Sequence, residues 1–306
     1  MYFYDRFSKY VKSYTDQDLA SWLPFPAQES NKYSRGKVIV VAGSSSYPGA
    51  AVMCSKGTQL SGAGYTEVFT AKRNVPLIQT ARPSLVVRSF KKLDWGSLPN
   101  YHRNGAIVFG PGIEAGDATA KSLLKNLIDY CPTPLLIDGG GFDHLPTEEF
   151  HRAMRIRGEK GLPTVLTPHP GEATRLGVPM GIDPHDDFER MAMDLADCYK
   201  AIVVLKGPDT TIATSEGYVT VTEGTSALAK AGTGDVLAGF IGGFLAQRLD
   251  PFKASLLGVV LHARAGLIAA DRIGPICVCA DDLLDMFPTA VMELAEKLNE
   301  VDVNER

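Results

Sequence analysis

The sequence predicts a three-layer α/β/α fold with a mainly parallel central sheet, on three observations. Short continuous runs of Val, Ile and Leu recur along the chain, which is typical of strands buried on both faces of a parallel sheet. Segments with helical periodicity lie between most of these runs, and such alternation builds three-layer α/β folds. The chain has 306 residues, 45% of them hydrophobic and 22% charged, so it is long and apolar enough to bury a substantial core.

The expected elements follow in chain order. Strands are predicted over residues 37–42, 65–70, 85–88, 106–109, 135–138, 164–167 and 202–205. Two more, 210–213 and 218–222, flank the Glu216-Gly217 turn and predict a hairpin. Helices are predicted over residues 50–61, 117–130, 187–200, 235–248, 254–271 and 281–300. Four of these helices begin at or near an aspartate, where a carboxylate suits the exposed N–H groups.

One domain over residues 36–300 is expected, preceded by an N-terminal arm of residues 1–35. The net charge of −4 argues against a general nucleic-acid binder. No secretory signal and no membrane-spanning apolar run is visible. The five cysteines are odd in number and mostly lie in apolar segments, which indicates reduced thiols. We therefore expect a cytoplasmic protein with neither a nucleic-acid nor a membrane partner.

Glycine-rich loops follow several predicted strands, at the sheet edge where α/β proteins gather their active sites. The loop of residues 43–51, GSSSYPGAA, either presents N–H groups to an anion or forms a tight turn. Gly110-Pro111-Gly112, taken alone, favours a structural turn. Lys206, at another strand end, is equally consistent with a phosphate contact and with an ordinary loop lysine.

A stiff loop, Thr167-Pro168-His169-Pro170-Gly171-Glu172, follows the strand predicted at residues 164–167. Its two prolines hold a histidine and a carboxylate at the rim of the expected site. We interpret His169 as a hydrogen-bonding group for substrate and Glu172 as a water-mediated metal contact.

The sharpest feature is Gly232-Thr233-Gly234-Asp235, which leads directly into an apolar helix. The amides of residues 232–234 are expected to point together and bind an anion. A carboxylate beside an anion site is favourable if Asp235 removes a proton from a hydroxyl that attacks phosphorus. The alternative is that Asp235 is a simple N-cap after a glycine turn.

In these motifs the chain resembles the NAD(P)H-hydrate dehydratases of the ribokinase-like superfamily. Gly-Thr-Gly-Asp at 232–235 is similar to the superfamily's catalytic signature, and the His-Pro-Gly-Glu loop narrows the match. Further matching stretches are residues 43–50, 61–64, 110–112, 205–207, 231–239 and 280–283, together with His262.

The resemblance implies a ribokinase-like fold and a set of site residues. Asp235 would be the catalytic base, and Gly232, Thr233 and Gly234 would hold the moving phosphoryl group. The hydrated dinucleotide would be bound by Gly49, Ala50, Gly112, His169 and Asp235. The adenine nucleotide would be bound by Lys206, Gly207, Pro208, Asp209, Thr210 and Gly234, and Mg²⁺ indirectly by Glu172.

The implied activity is the conversion of (6S)-NAD(P)H hydrate to NAD(P)H, with release of AMP and phosphate. ADP is expected as the phosphoryl donor rather than ATP, since no organelle targeting is visible and the layout resembles stand-alone bacterial members. The expected partners are a separate NAD(P)H-hydrate epimerase and other copies of the chain in a homo-tetramer. The alternative is an ATP-dependent kinase acting on a hydroxyethylthiazole or hydroxymethylpyrimidine, against which the His-Pro-Gly-Glu loop argues.

Two motifs depart from the family pattern. Relatives usually have Gly-Asn-Pro-Gly before the catalytic loop, where this chain has Gly224-Thr225-Ser226-Ala227. Many also have Asp-Ala-Asp where this chain has Asp138-Gly139-Gly140 and therefore lacks the second acid. Both departures bear on how the substrate fits.

Overall fold

The computed structural model describes residues 13–93 and 105–298. The first twelve residues of the predicted arm, and residues 94–104 and 299–300 of the predicted domain, lie outside the described residues. The division into an arm of residues 1–35 and a domain of residues 36–300 stays a prediction.

A nine-stranded sheet forms the centre of the described chain, and its strand order is β3-β2-β1-β4-β5-β6-β7-β8-β9. Pairing is parallel from β3 across to β7, whereas β8 and β9 continue the sheet antiparallel as a hairpin. The mainly parallel sheet and the terminal hairpin are therefore confirmed. The strands are β1 Lys37–Val41, β2 Tyr65–Thr70, β3 Val86–Ser89, β4 Gly105–Phe109, β5 Leu135–Ile137, β6 Thr164–Leu166, β7 Ile202–Leu205, β8 Thr210–Thr214 and β9 Gly217–Val221.

Helices connect the strands and cover both faces of the sheet. Within the described residues they are α1 Asp16–Ser21, α2 Pro48–Leu60, α3 Val75–Ala81, α4 Ala118–Tyr130, α5 Glu148–Glu159, α6 Pro170–Gly177, α7 Phe188–Tyr199, α8 Thr233–Ala246, α9 Pro251–Ile273 and α10 Ala280–Glu296. The six helices expected outside the arm are present, with bounds shifted by a few residues. The structure adds α3, α5 and α6, which the periodicity did not predict.

Alternation along β1 explains the three layers. Val38 and Val40 join a core shared with α2, α8, α9 and α10. Ile39 and Val41 join a second core shared with α4, α5, α6 and α7. Successive side chains of a strand point to opposite faces, so a continuous apolar run supplies both cores.

The described part of the arm is tied to the body of the protein. The Arg264 guanidinium on α9 bonds the Asp16 carboxylate at 2.6 Å and the Glu223 carboxylate at 2.8 Å. The Tyr14 hydroxyl donates to Glu223 Oε1 at 3.2 Å. One guanidinium thus links α1 to the segment that follows β9.

Among the described helices, α9 is long and apolar enough to cross a membrane. However, 72% of its most apolar window is buried inside the protein, and its neighbours include α8 and α10. Its hydropathy is therefore what a core helix of this fold requires.

Candidate active site

The carboxyl ends of five adjacent strands, β1 and β4 to β7, carry the loops that the sequence singles out. They are followed by residues 42–47, 110–117, 138–147, 167–169 and 206–209. The Lys206 amide donates to the Pro168 carbonyl at 2.9 Å, which holds the last two of these loops together. The candidate site lies along this edge, where the start of α8 adds Asp235.

Asp235 is the third residue of α8 and not its N-cap. The N-cap is Gly232, whose φ of 94° is a left-handed conformation that favours glycine. Among the described residues, no hydrogen bond or ion pair holds the Asp235 carboxylate, and its pKa is raised to about 7. Burial is the largest cause, followed by the charge of Asp138, while the Lys206 ammonium lowers the pKa. The simple N-cap alternative is therefore wrong.

The amides at the start of α8 differ in what they donate to. Within the described chain, the N–H groups of Gly232 and Gly234 have no main-chain acceptor. The Thr233 amide donates to the Lys230 carbonyl at 3.4 Å. The expectation of three free amides is thus corrected to two, because the tight turn that precedes the helix uses one of them. Two unpaired amides at a helix start still suit an anion.

A cluster of charges surrounds Asp235. The Lys206 ammonium bonds Asp138 Oδ1 at 2.9 Å, and the two side chains are 20% and 5% exposed. Burial lowers the Lys206 pKa, but the carboxylates of Asp138, Glu172 and Asp235 outweigh it and the net shift is upward. Lys206 therefore stays protonated. Its Nζ atom lies near Gly234, because a Cβ added to that glycine would be 3.3 Å from Nζ.

His169 and Glu172 form the capping box of α6. His169 Nδ1 accepts from the amides of Gly171 and Glu172 at 3.1 and 3.3 Å, and Glu172 Oε2 accepts from the His169 amide at 2.9 Å. Capping of α6 is thus a structural reason for a histidine and a glutamate at positions 169 and 172. It also fixes the tautomer, because the neutral ring then carries its proton on Nε2. The His169 side chain is 54% exposed, so Nε2 can donate to a ligand.

The donor set fits Mg²⁺ held largely by nucleotide phosphates. No group of three or more potential ligands forms a cage among the described residues. Mg²⁺, however, commonly uses one or two carboxylates and completes its shell with phosphates and water. The Glu172 side chain is 8% exposed, and its Oε1 atom lies 3.6 Å from His169 Nε2. That separation is too long for a good hydrogen bond, so Oε1 can still make a water-mediated contact while Oε2 accepts from an amide.

Three of the residues expected to bind the hydrated dinucleotide, Gly49, Ala50 and Gly112, meet at the start of α2. Gly112 approaches Ala50 so closely that an added Cβ would lie 2.4 Å from the Ala50 Cβ. Gly49 faces open space, since a Cβ added there would have no atom within 4 Å. His169 follows β6, two strands along the sheet from β4. The fold brings these positions to one edge of the sheet.

The loop after β1 is a structural turn and does not offer its first amides to an anion. The Gly43 amide donates to the Pro111 carbonyl at 2.9 Å, and the Ser44 amide donates to the Gly112 carbonyl at 2.7 Å. The Ser46 amide donates to Ser44 Oγ at 3.3 Å. The start of this loop therefore has the structural role that one interpretation predicts, while anion binding by the later amides of the loop stays a prediction.

Of the expected nucleotide-binding residues, 206–210 span the turn between β7 and β8 and the first residue of β8, while Gly234 lies in the first turn of α8. Pro208 and Asp209 are exposed, while Gly207 packs against the Phe188 ring. The Pro208 carbonyl lies 3.6 Å from the position of a Cβ on Gly224. The turn therefore adjoins the segment that leads to the catalytic loop.

Three further residues belong to this site: Asp138, Thr167 and His262. The sequence motifs assign no role to them. Asp138 ends the run Leu-Leu-Ile-Asp after β5 and accepts from Lys206 and from Thr167 Oγ1, the latter at 2.7 Å. His262 lies in α9 and bonds the Thr233 carbonyl. Asp138 had a sequence signal, a carboxylate at the end of a buried strand. The contacts of Thr167 and His262 depend on packing between distant segments, which no local pattern shows.

Both departures from the family pattern have a local structural explanation. At Gly140 an added Cβ would lie 2.1 Å from the Ile113 carbonyl oxygen, so this backbone has no room for a second acid. In the other segment, Thr225 Oγ1 accepts from the Ala227 amide at 3.2 Å and caps a short 3₁₀ turn, Ser226–Leu228.

The chain is similar to known proteins over most of its length. The family model Carb_kinase, described as NAD(P)H-hydrate dehydratase, matches residues 38–289. An ADP-dependent (S)-NAD(P)H-hydrate dehydratase from Xanthomonas campestris is 32% identical over 273 residues, which cover 85% of this chain and 89% of that relative. Bifunctional NAD(P)H-hydrate repair enzymes are longer: the chain spans 54% of the one from Thermofilum pendens, with 32% identity over 290 residues and 91% of this chain.

Solved structures show the same architecture. The ADP/ATP-dependent NAD(P)H-hydrate dehydratase from Bacillus subtilis, co-crystallized with ATP/Mg²⁺, matches with a TM-score of 0.76 and 27% identity over 92% of this chain and 97% of its own. A ribokinase-like superfamily protein from Enterococcus faecalis matches with a TM-score of 0.73 and 26% identity over 90% and 95% of the two chains. The ribokinase-like fold implied by the sequence is confirmed.

Proposed function

The chain belongs to the NAD(P)H-hydrate dehydratase family, and we propose that it catalyses the ADP-dependent dehydration of (6S)-NAD(P)H hydrate to NAD(P)H, with release of AMP and phosphate. The observation that carries this proposal is the half-buried, unpartnered carboxylate of Asp235 beside the free amides of Gly232 and Gly234. A pKa of about 7 suits a base that must accept a proton near neutral pH. The chain spans about half of the bifunctional relatives, and the epimerase activity is not part of this proposal.

The reaction has two stages. Asp235 takes the proton of the ring hydroxyl, whose oxygen attacks the β-phosphorus of ADP while the bond to the AMP oxygen breaks. The amides of Gly232 and Gly234 hold the transferring group, whose charge they match. The ring-nitrogen lone pair then expels phosphate from the neighbouring carbon, and loss of a proton from the adjacent carbon restores the double bond.

Other residues would orient the two ligands. The Lys206 ammonium, held by Asp138 at 2.9 Å, would contact nucleotide phosphate as a fixed positive charge. Pro208, Asp209, Thr210 and Gly207 would line the nucleotide, and Gly49, Ala50, Gly112 and His169 the hydrated dinucleotide. Mg²⁺ would neutralise phosphate charge when it is bound, with Glu172 holding its hydration shell.

The proposal is tested by incubating the protein with hydrated NADH or NADPH, Mg²⁺ and either ADP or ATP. We expect recovery of the reduced-nicotinamide absorbance with ADP, one AMP formed for each molecule recovered. An assay without nucleotide is the control, because dehydration without a phosphoryl donor would indicate another mechanism. No recovery with either nucleotide, together with phosphorylation of a hydroxyethylthiazole or hydroxymethylpyrimidine by ATP, would replace the proposal by the kinase alternative.

The proposal extends to the setting in which the enzyme works. The family resemblance supports a cytoplasmic homo-tetramer that acts beside a separate epimerase, which would interconvert the two hydrate epimers. Light scattering on the purified protein measures the mass, and four copies of the 33.0 kDa chain are expected. Addition of an NAD(P)H-hydrate epimerase is expected to extend recovery from one epimer to both.

A further inference from the structure

His262 lies in the middle of α9 and contacts the first turn of α8. Its Nε2 atom lies 3.0 Å from the Thr233 carbonyl oxygen, and the side chain is buried. A carbonyl only accepts hydrogen bonds, so Nε2 carries a proton and donates. The ring also meets the Phe240 ring edge-on, with 6.3 Å between centroids. A donor from one helix thus reaches into the catalytic loop that begins the other.

The bond to Thr233 has a consequence for the next residue. The Thr233 C=O and the Gly234 N–H belong to one planar trans peptide, in which they point in opposite directions. Fixing the carbonyl therefore fixes the direction of the amide. The Gly234 amide has no main-chain acceptor within the described residues. Its direction is therefore set from the carbonyl side of the peptide, where the helical ladder of α8 and the bond from His262 act together.

Thr233 is held at its other end as well. Its Oγ1 atom lies 2.9 Å from both the Leu228 and the Lys230 carbonyl oxygens. The hydroxyl thus secures the residue to the preceding turn, while His262 secures the peptide that follows. Together these contacts leave the Thr233–Gly234 peptide little freedom to rotate.

We propose that His262 is a positioning residue, which aims the Gly234 amide at the transferring phosphoryl group through the Thr233 carbonyl. This inference rests on the proposed function of the same site. The imidazole is suited to the task because it stays neutral. The His262 pKa is lowered to about 4: burial is the largest cause, the hydrogen bond to Thr233 opposes it, and the Lys206 ammonium also lowers the pKa. It therefore adds a hydrogen bond without an additional charge beside the anion.

The alternative is that His262 only fills the core between α8 and α9. Three variants separate the two roles. His262→Leu removes the donor and keeps the apolar bulk, whereas His262→Gln keeps an N–H donor at a similar reach. Phe240→Leu is the matched control, because it disturbs packing against the same ring without touching the bond to Thr233.

We expect His262→Leu to lower kcat by about 10- to 100-fold, somewhat less than the loss of an oxyanion donor itself. The Kd for ADP stays within about threefold, since ground-state binding uses other groups. His262→Gln recovers most of kcat, and Phe240→Leu lowers the melting temperature while kcat changes little. Equal kcat values in His262→Leu and Phe240→Leu, or a loss that glutamine does not rescue, would overturn the inference.

A binding measurement separates this inference from the proposed function. Aluminium fluoride with AMP, and in parallel with ADP, mimics the transferring group and needs no hydrated dinucleotide. Calorimetry is expected to show weaker aluminium fluoride binding in His262→Leu than in wild type and Phe240→Leu, even if no hydrate is turned over. Equal affinity in all three proteins, or no binding by wild type, would contradict the positioning role.

Discussion

Two glycine-containing turns, the loop after β1 and the start of α8, both lead into a helix but differ in their hydrogen bonding. In the first, the amides of Gly43 and Ser44 donate to the carbonyls of Pro111 and Gly112. In the second, the amides of Gly232 and Gly234 have no main-chain acceptor in the described chain. The first turn ties two neighbouring strand ends together, whereas the second leaves donors for a ligand. Glycine content alone does not distinguish the two; the hydrogen-bond partners do.

The two turns are also expected to contribute differently to the free energy of unfolding. Backbone groups that are paired within the fold contribute to stability, while unpaired donors beside a half-buried carboxylate are maintained against stability. Substitutions in the first turn should therefore act on folding, and substitutions at the second on catalysis. Four experiments test that contrast.

The largest effect is expected for Asp235→Asn. The amide cannot accept the hydroxyl proton, so kcat should fall by about 10³-fold, while calorimetry shows an ADP Kd within about threefold of wild type. Asp281→Asn is the matched control, since Asp281 is an exposed acid in the first turn of α10. Retained turnover in Asp235→Asn would remove this residue as the base.

The pH profile should report the same carboxylate. Asp235 must be ionised to accept a proton, so kcat/KM should fall about tenfold per pH unit below about 7. Asp138 raises this pKa, and its loss also frees Lys206 to approach Asp235. In Asp138→Asn the acid limb should therefore move to lower pH. A limb that stays in place would show that another group limits the rate.

The raised pKa of Asp235 also affects folding. The folded state binds this proton more tightly than the unfolded state, so this group's contribution to stability is full below about pH 4 and is lost as the pH rises to about 7. Asp235→Asn removes this half-buried charge and should stabilise the protein at pH 8 by about 2 kcal/mol. Urea unfolding at pH 8 and pH 5 measures the difference, which should shrink at the lower pH.

Local patterns were sufficient to predict most of the fold. Strands such as Ile202–Leu205 are buried runs of branched residues, so composition and length identify them. Helix α6 was missed because it is short and begins within the proline-containing loop at Pro170. Helix α5 was missed because its mean composition is polar and its buried face rests on few residues, among them Phe150 and Met154.

The candidate site was only partly predictable, for a physical reason. Gly232, Gly234 and Asp235 are neighbours in sequence, so a motif contains them. The Asp138–Lys206 ion pair joins residues 68 positions apart, and the His262–Thr233 bond joins residues 29 apart. Such contacts exist only after the sheet and the helices pack. The number of free amides likewise depended on how the 228–232 turn closes.

The smallest effect on the fold is expected for Gly49→Ala, and Gly43→Ala is the contrasting variant. The φ angle of Gly43 is +77°, and a Cβ added there would lie 2.9 Å from both Ala51 Cβ and Thr70 Oγ1. Gly43→Ala should therefore lower the free energy of unfolding by about 2 kcal/mol. At Gly49 the added methyl meets nothing within 4 Å, and stability should change by less than about 0.5 kcal/mol. Because this open space adjoins Ala50, the KM for the hydrated dinucleotide should nevertheless rise severalfold.

Gly217→Ala is the control for Gly49→Ala, since a Cβ added at Gly217 also meets open space but lies in the hairpin. A KM that changes equally in both variants, or in neither, would place Gly49 outside the binding site.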